Sequence, residues 1–448
     1  MPSSTVYTCG LERDGIVVKH ISADHEQSNL RIKFKRTIRV PDNAGDAKLP
    51  PDLGNFSLFK IRDFASKLPA YMVDQGGVFF SMYQREAMWI SFRADDPFMI
   101  KIYAGGVNVV SGENSSETEE TKQRRLQLIS DKESIQDYLV VPGQMWIDGF
   151  AVAPGVVRQF VAMPLGMGYT VEAQLTGREM AGGIQFEITP SIPNWKFVSM
   201  YRPDMVICVK TLTGKRIPIK CSSHDSVGNI KEYIQNTEGI PTDQQRLAFL
   251  GKQLDESPTL SEYGVQHNDE MNLTLRLRGG GGWYGPMGVA AGGKIDQEIH
   301  RDCENPNRWA KDSTITIPVH ILTTAMFREV TGQQPPPCPI SISTYTDAGL
   351  PFFDLPEEPS GISGAFDGVK SVHEINVDRG IASSEEPSVK PRVVTIGRGE
   401  GSSAKSWVNR ETIHDPDGLV SPNGPLRAFR TLSILHEELK EYDGKQTE

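Results

Sequence analysis

Apolar and basic residues alternate along "LRIKFKRTIRV" (residues 30–40), the period-two signature of a half-buried strand. From Gly77 onward, "GVFFSMYQREAMWISFRADDPFMIKIYAGGVNVVSG" is dense in aromatic and β-branched residues, with an acidic turn at Asp95, Asp96 and Pro97. It reads as consecutive strands. "DYLVV", "MWIDGFAV", "VVRQFVAMPL", "YTVEAQL" and "GIQFEITP" continue the pattern. Short strands at regular spacing, interrupted by Gly and Pro, predict a sandwich or barrel over residues 28–200.

The segments around these runs read differently. Residues 1–27 are polar and patternless and are expected as a flexible arm. "FSLFKIRDFASKLP" suits a short helix, and "SGENSSETEETKQRR" a charged surface loop. Beyond residue 281, "MGVAAGGKIDQEIH" and "DSTITIPVHILTTAMFREVTG" supply a strand-like run and a helix. The long Pro- and Gly-rich connection "QQPPPCPISISTYTDAGLPFFDLPEEPSGISGAFDG" completes a continuation of the body over 281–378. Residues 379–424 are mostly polar around one strand, "PRVVTI". Asn423 and Pro425 signal a helix start. Leu426, Phe429, Leu432, Leu435, Leu439 and Tyr442 then mark one apolar stripe, predicting an amphipathic C-terminal helix over 425–443.

Residues 205–280 have a character of their own. In "MVICVK", Met205, Ile207 and Val209 fall on one face, "TLTGK" turns, and "RIPIKC" returns with Ile217, Ile219 and Cys221 on the same side. That is a hairpin. Pro218 cannot donate to a ladder, so its strand should be an edge. Ser226 is placed to cap a helix carrying Val227, Ile230 and Ile234, which Gly239 and Pro241 end. "QRLAFLGKQLD" and "MNLTLRLR" add strands, giving a compact α+β module.

Together, "MVICVKTLTGK", "NIKEYIQNTEGIP", "DQQRLAFLGKQL", "TLSEYGVQ" and "LRLRGG" resemble ubiquitin, in order and without gaps. The resemblance implies a β-grasp fold for 205–280. The fold class expected for the whole is therefore α+β: a β-rich body interrupted by an inserted ubiquitin-like domain. The flanks, "NWKFVSMYRPD" and "GGWYGPMGVAAGGK", also resemble proteins in which such N- and C-terminal parts are joined directly.

By the same resemblance, the main recognition patch would comprise Leu212, Ala248, Asn272 and Thr274, of which only Leu212 keeps apolar bulk. Binding hot spots rest on a few large anchors, so this patch should be weak. A second apolar patch, Ile240 with Leu275 and Leu277, is intact, and Lys252 matches a chain-acceptor lysine. The run Leu275, Arg276, Leu277, Arg278, Gly279 and Gly280 resembles the family's processing and conjugation tail. Paired glycines let a backbone thread a narrow cleft. Here Gly281 follows Gly280, so conjugation would require cleavage first. Gly279–Gly282 also has the composition of a flexible linker.

Composition narrows the remaining options. The 448-residue chain has a formal charge of −10, with no Lys/Arg run that would grip nucleic acid or an anionic membrane. Its module is neutral, five lysines and four arginines against nine acids, so the acidity belongs to the body. Five scattered cysteines suit a reducing compartment. With neither a basic leader nor an apolar segment of spanning length, the chain is expected in the cytoplasm or nucleus.

Other motifs are thin. "VVTIGRGEGSSAKS" imitates a phosphate loop but has Ala404 before Lys405 where Gly is needed. "GISGA" (361–365) falls one residue short of a nucleophile elbow, and "HDPDG" at 414 reads as a turn. Cys303 or Cys338 could serve as nucleophile with His320 or His373 as base, if the fold joins them. No catalytic set, metal site or cofactor is expected. The functions in view are a non-catalytic protein whose internal ubiquitin-like domain binds proteins, a modifier precursor cut after Gly280, and a ubiquitin-pathway enzyme regulated by its own domain. The expected partners are proteins, including deubiquitinases, the activating enzyme and ubiquitin receptors.

Overall fold

The computed structural model describes residues 5–12, 14–21, 27–42, 45–191, 205–211, 216–221, 227, 230, 246–249, 252–253, 260, 270–274, 285–355, 357–381, 392–395, 411–415, 417–427 and 429–446. The chain is mixed α/β, a strand-rich body with few helices, and it divides into two compact units. One comprises Met1–Asp52, Phe56–Asn194 and Gly281–Glu448, the other Leu53–Asn55 and Trp195–Gly280.

The first unit is organised by one 16-stranded sheet. Its main path begins with Glu411–His414, Thr5–Glu12, Gly15–Ile21, Gln27–Thr37 and Ala87–Ala94. It continues through Val156–Pro164, Pro286–Asp296, Ile315–Thr323, Ile184–Pro190, Phe98–Ala104 and Val107–Asn108. Two central strands thus come from beyond residue 285. Pro286–Asp296 pairs antiparallel with Val156–Pro164 from Val156↔Asp296 to Pro164↔Met287, with one irregularity after Arg158. Ile315–Thr323 lies between Ile184–Pro190, antiparallel, and Val78–Met82, parallel. Every residue of Ile315–Thr323 is buried, with Ile315, Ile317, Val319 and Ile321 alternating with Thr316, Pro318, His320 and Leu322.

One large core holds the sheet's inner face. It gathers Phe34, Phe80, Phe160, Phe186, Ile317 and Val289, with Phe34 edge-on to Phe186 at 5.8 Å between ring centroids. A smaller cluster seats the helix Thr324–Thr331 through Met326, Phe327 and Val330. Thr323 caps that helix and Gly332 ends it in the left-handed region.

Several elements depart from the sequence reading, each for an identifiable reason. The expected arm carries two paired strands, Thr5–Glu12 and Gly15–Ile21, and Tyr7 and Cys9 are buried. "YTVEAQL" forms not a strand but the helix Val171–Thr176, capped by Thr170 and stopped by Gly177 at φ 71°. The expected helix before residue 70 is a 3₁₀ turn, Ile61–Lys67, after the short strand Phe59–Lys60.

The charged "loop" turns into the helix Glu119–Ser130 at Thr118, where Thr118 and Thr121 form a reciprocal cap. The polar 379–424 segment contributes two strands, Arg392–Thr395 and Glu411–His414. The last helix is Leu432–Gln446. It starts later than Pro425 because the Arg427 N–H is held by Glu187 at 2.9 Å and Thr431 caps Ile434. No helix among the described residues is long and apolar enough to cross a membrane.

Candidate functional site

The second unit contains a five-stranded sheet in the order Arg216–Cys221, Met205–Thr211, Glu270–Thr274, Arg246–Phe249, Lys252–Gln253. The hairpin register sets Ile207 opposite Ile219 and Val209 opposite Ile217. Ile207, Val209, Ile219, Val227, Ile230, Leu247 and Leu260 are buried. Arg216–Cys221 is an edge strand, as Pro218 requires. The first and last strands run parallel, Cys208↔Glu270 to Thr211↔Leu273.

Ala248 lies opposite Asn272 and Arg246 opposite Thr274. Leu247, next to Ala248 along its strand, is buried. Positions 248, 272 and 274 of the reduced patch therefore fall on two neighbouring, paired strands. Lys252 sits on an edge strand opposite Phe249. Leu212, Ile240, Leu275, Arg276, Leu277, Arg278, Gly279 and Gly280 lie outside the described residues.

The body offers two concentrations of buried polar groups that sequence reading missed. In the first, Arg125 pairs with Glu113, its Nε donating at 2.9 Å, and with Glu117 at 3.0 Å. Lys101 donates to Asp137 at 3.0 Å, and Arg427 Nε donates to the Ser115 carbonyl at 2.6 Å. Burial pushes the Asp137 carboxyl up, but Lys101 and Arg125 outweigh it and hold the group below its ordinary value. Glu187 is pushed up by burial, against the Arg427 N–H and Lys101.

The buried cations are Lys101, Arg125 and Arg427 and the buried anions Glu113, Asp137 and Glu187; Lys101 pairs with Asp137 and Arg125 with Glu113, while the Arg427 guanidinium lies 3.8 Å from Glu113 and its backbone N–H meets Glu187. Such buried charges, paired with one another or held by backbone groups, bolt elements together, and the buried Tyr103 hydroxyl beside Glu187 and Asp137 has no hydrogen-bond partner among the described residues. The only sequence signal was the run of charges at 113–125, which looks like a solvated surface.

The second concentration is a seam along Gln297–Asp302. Gln144 Nε2 donates to the Glu298 carbonyl while its Oε1 accepts from the His300 N–H. Gln136 treats the His300 carbonyl and Asp302 N–H the same way. Gln297 and Asp148 exchange two bonds, at 2.9 and 3.1 Å. Side-chain amides thus replace a strand ladder. Burial, opposed by Gln297 and Trp146 and aided by Glu357, raises Asp148 to about 7.

The nucleophile–base pairings raised by the sequence find no support in these bonds. Cys303 and Cys338 are exposed, and the Cys303 thiol leans on the Arg301 carbonyl at 3.7 Å. His320 is buried and reaches the Gly76 carbonyl at 3.3 Å; burial lowers its pKa to about 4, so it is neutral. The His373 N–H donates to Asp42 at 3.0 Å. In "GISGA", a Cβ on Gly364 would lie 2.4 Å from the Val110 carbonyl, so that glycine serves close packing. Asp415 accepts from the Leu419 and Val420 N–H groups, closing the "HDPDG" turn. The phosphate-loop imitation lies mostly outside the described residues.

The ubiquitin family model matches residues 207–278, the segment whose strand order and buried positions are given above. Ubiquitin-like protein NEDD8 of Dictyostelium discoideum is 47% identical over 76 residues, covering 17% of this chain and 99% of that protein. The NEDD8-like protein RUB1 of Saccharomyces cerevisiae is 45% identical over 76 residues, again 17% of this chain and 99% of the relative. Ubiquitin-like protein 4A of Anoplopoma fimbria is 33% identical over 111 residues, 25% of this chain and 65% of that protein. Through residues 207–278 the chain belongs to the ubiquitin family, with the family's domain embedded in a larger protein.

Proposed function

We propose that this is a non-catalytic protein in which the body, closed by its C-terminal helix, carries the ubiquitin-like domain as an insertion and uses it for protein–protein contact. One observation carries this reading. The chain leaves the body sheet after Pro190 and rejoins it at Pro286, and strands from before the domain, Val156–Pro164 and Ile184–Pro190, pair with strands from after it, Pro286–Asp296 and Ile315–Thr323. The contact surface is Ile240, Leu275 and Leu277, with Leu212 the remaining bulk of the reduced patch. The relatives are named as ubiquitin-like proteins, which favours ubiquitin-pathway proteins as partners: deubiquitinases, the activating enzyme or ubiquitin receptors. The cytoplasm and nucleus are where such partners meet it.

The test uses the full chain, immobilised, with a eukaryotic cell extract. The protein and its Ile240→Asp/Leu277→Asp variant are compared for what they retain, and intact mass is read afterwards. Partners held by the parent and released by the variant are expected. Identical retention by both would sink the reading.

A second reading, a modifier precursor cut after Gly280, is favoured by the tail "LRLRGG", which keeps both arginines where a plain linker needs neither. In the same extract it predicts a product ending at Gly280 that a Gly280→Val chain does not give. Lys252 would then be a chain acceptor.

A further inference from the structure

A cut between Gly280 and Gly281 would fall between two sets of strands that interleave within one sheet. Residues before the cut supply Val156–Pro164 and Ile184–Pro190. Residues after it supply Pro286–Asp296 and Ile315–Thr323, which stand between those two in the strand order. Each late strand is laddered to an early one along most of its length, Val157↔Ile295 to Pro164↔Met287 on one side and Ile184↔Val319 to Ile188↔Ile315 on the other. Val289, Ala291, Ile295, Ile315, Ile317, Val319 and Ile321 are buried, and nearly all of these fill the same core as Phe34, Phe160 and Phe186.

Polar groups cross the same divide. Gln136 and Gln144 hold the backbone of 298–302, and Tyr138 Oη donates to Asp302 at 2.6 Å. Glu187 holds the Arg427 N–H, and Arg36 donates to the Pro337 carbonyl at 2.5 Å. At the far edge, Thr5–Glu12 pairs in parallel with Glu411–His414. Without residues 281–448, two flanks of the sheet would face each other across a gap with their ladder groups unpaired and a core face bare. Unmade buried hydrogen bonds and exposed apolar area of that extent oppose separation.

We propose that residues 281–448 are the obligate partner of residues 1–280, so that a chain severed after Gly280 persists as one two-piece body. A diglycine freed there would be borne by that whole assembly and not by a separate 280-residue modifier. The proposal rests on the insertion reading above, but not on the domain's binding partners.

A recognition sequence for a site-specific protease placed within Gly279–Gly282 of the full chain provides the test. After complete cutting, verified under denaturing conditions, the native mass is read by light scattering during size exclusion. One particle holding one copy of each piece is expected, near the intact mass of 49.6 kDa, dissociating only in denaturant. Two separately eluting pieces overturn the proposal. So does a doubled mass, which would mean that strands are exchanged between copies.

If the altered chain fails to fold, co-expression of 1–280 with a tagged 281–448 replaces it. Co-purification supports the proposal, and recovery of a compact, soluble 1–280 piece by itself overturns it. Loss of partner retention in the extract experiment would sink the binding role while leaving both readings of mass unchanged.

Discussion

Ile188 and Ile315 sit directly opposite each other in an antiparallel ladder, with the entire ubiquitin-like segment between them in sequence. The chain leaves that ladder at Pro190, beyond the Ile315 end, and returns at Pro286, opposite Leu322 at the other end. The departure and return points are therefore roughly 30 Å apart at the rise of an antiparallel strand. In the domain, Met205 and Thr274 lie at opposite ends of a parallel pair, roughly 24 Å apart.

That spacing makes a deletion informative. Replacing residues 192–284 by about twelve flexible residues, which reach roughly 40 Å when extended, should leave the body folded. About four residues reach only roughly 14 Å and should not. Near-ultraviolet circular dichroism and the thermal unfolding midpoint distinguish the two; equal behaviour would contradict the strand order.

Asp148 predicts a pH dependence. Its folded pKa, about 7, lies well above the ordinary aspartate value of 3.8. The stability due to the protonated carboxyl is therefore fully present below the unfolded pKa and is lost as pH rises through about 7. Asn at this position mimics the neutral acid. Asp148→Asn should exceed the parent in urea midpoint at pH 8, by an amount corresponding to about 2–4 kcal/mol. The advantage should shrink toward pH 5, and a constant difference across that range would refute the assignment.

Arg125 is 1% exposed and serves two glutamates. Arg125→Ala leaves Glu113 buried without its main partner and should cost about 3–5 kcal/mol in chemical denaturation. Arg125→Ala combined with Glu113→Gln should cost less than Arg125→Ala alone, because the uncompensated charge is gone.

Gly149 lies where a Cβ would come 1.9 Å from the Arg158 carbonyl. Gly149→Ala must push apart the strands Gly149–Ala153 and Val156–Pro164, and a loss of about 1–3 kcal/mol or more is expected. An unchanged unfolding midpoint would mean that the two strands are not held this close.

Ile219 is fully buried within the second unit. Ile219→Ala should lower the unfolding transition of that unit by about 2–5 kcal/mol while the body's transition stays in place. Calorimetry or hydrogen exchange resolves the two; a joint shift would show that they unfold as one.

The sequence made the domain readable because its hairpin, helix caps and buried positions are local and repeat at regular intervals. Ile207, Val209 and Ile219 fall where the alternation puts them. In the body many strands were legible, but their neighbours were not. Val156–Pro164 pairs with Pro286–Asp296, and nothing in either run names the other. The helix Glu119–Ser130 was hidden because its buried residue is Arg125 rather than an apolar stripe, although Thr118 and Thr121 carried a cap signal. The seam of glutamines was invisible for a similar reason. Gln136, Gln144 and Gln297 read as surface residues until the backbone they satisfy is in place.

The placement of the two late strands also dictates an order of events during synthesis. As the polypeptide emerges from a ribosome, everything up to Pro190 is available long before Ile315–Thr323, so the main sheet stands open at its middle. The ubiquitin-like segment needs no later residues to complete its own strand order and can close first. Until Thr323 has been made, the nascent body bares unpaired strand edges and a large apolar face, the features that chaperones bind and that aggregation exploits. Truncations that end between residues 285 and 322 are therefore expected to yield a folded ubiquitin-like segment attached to an unfinished body.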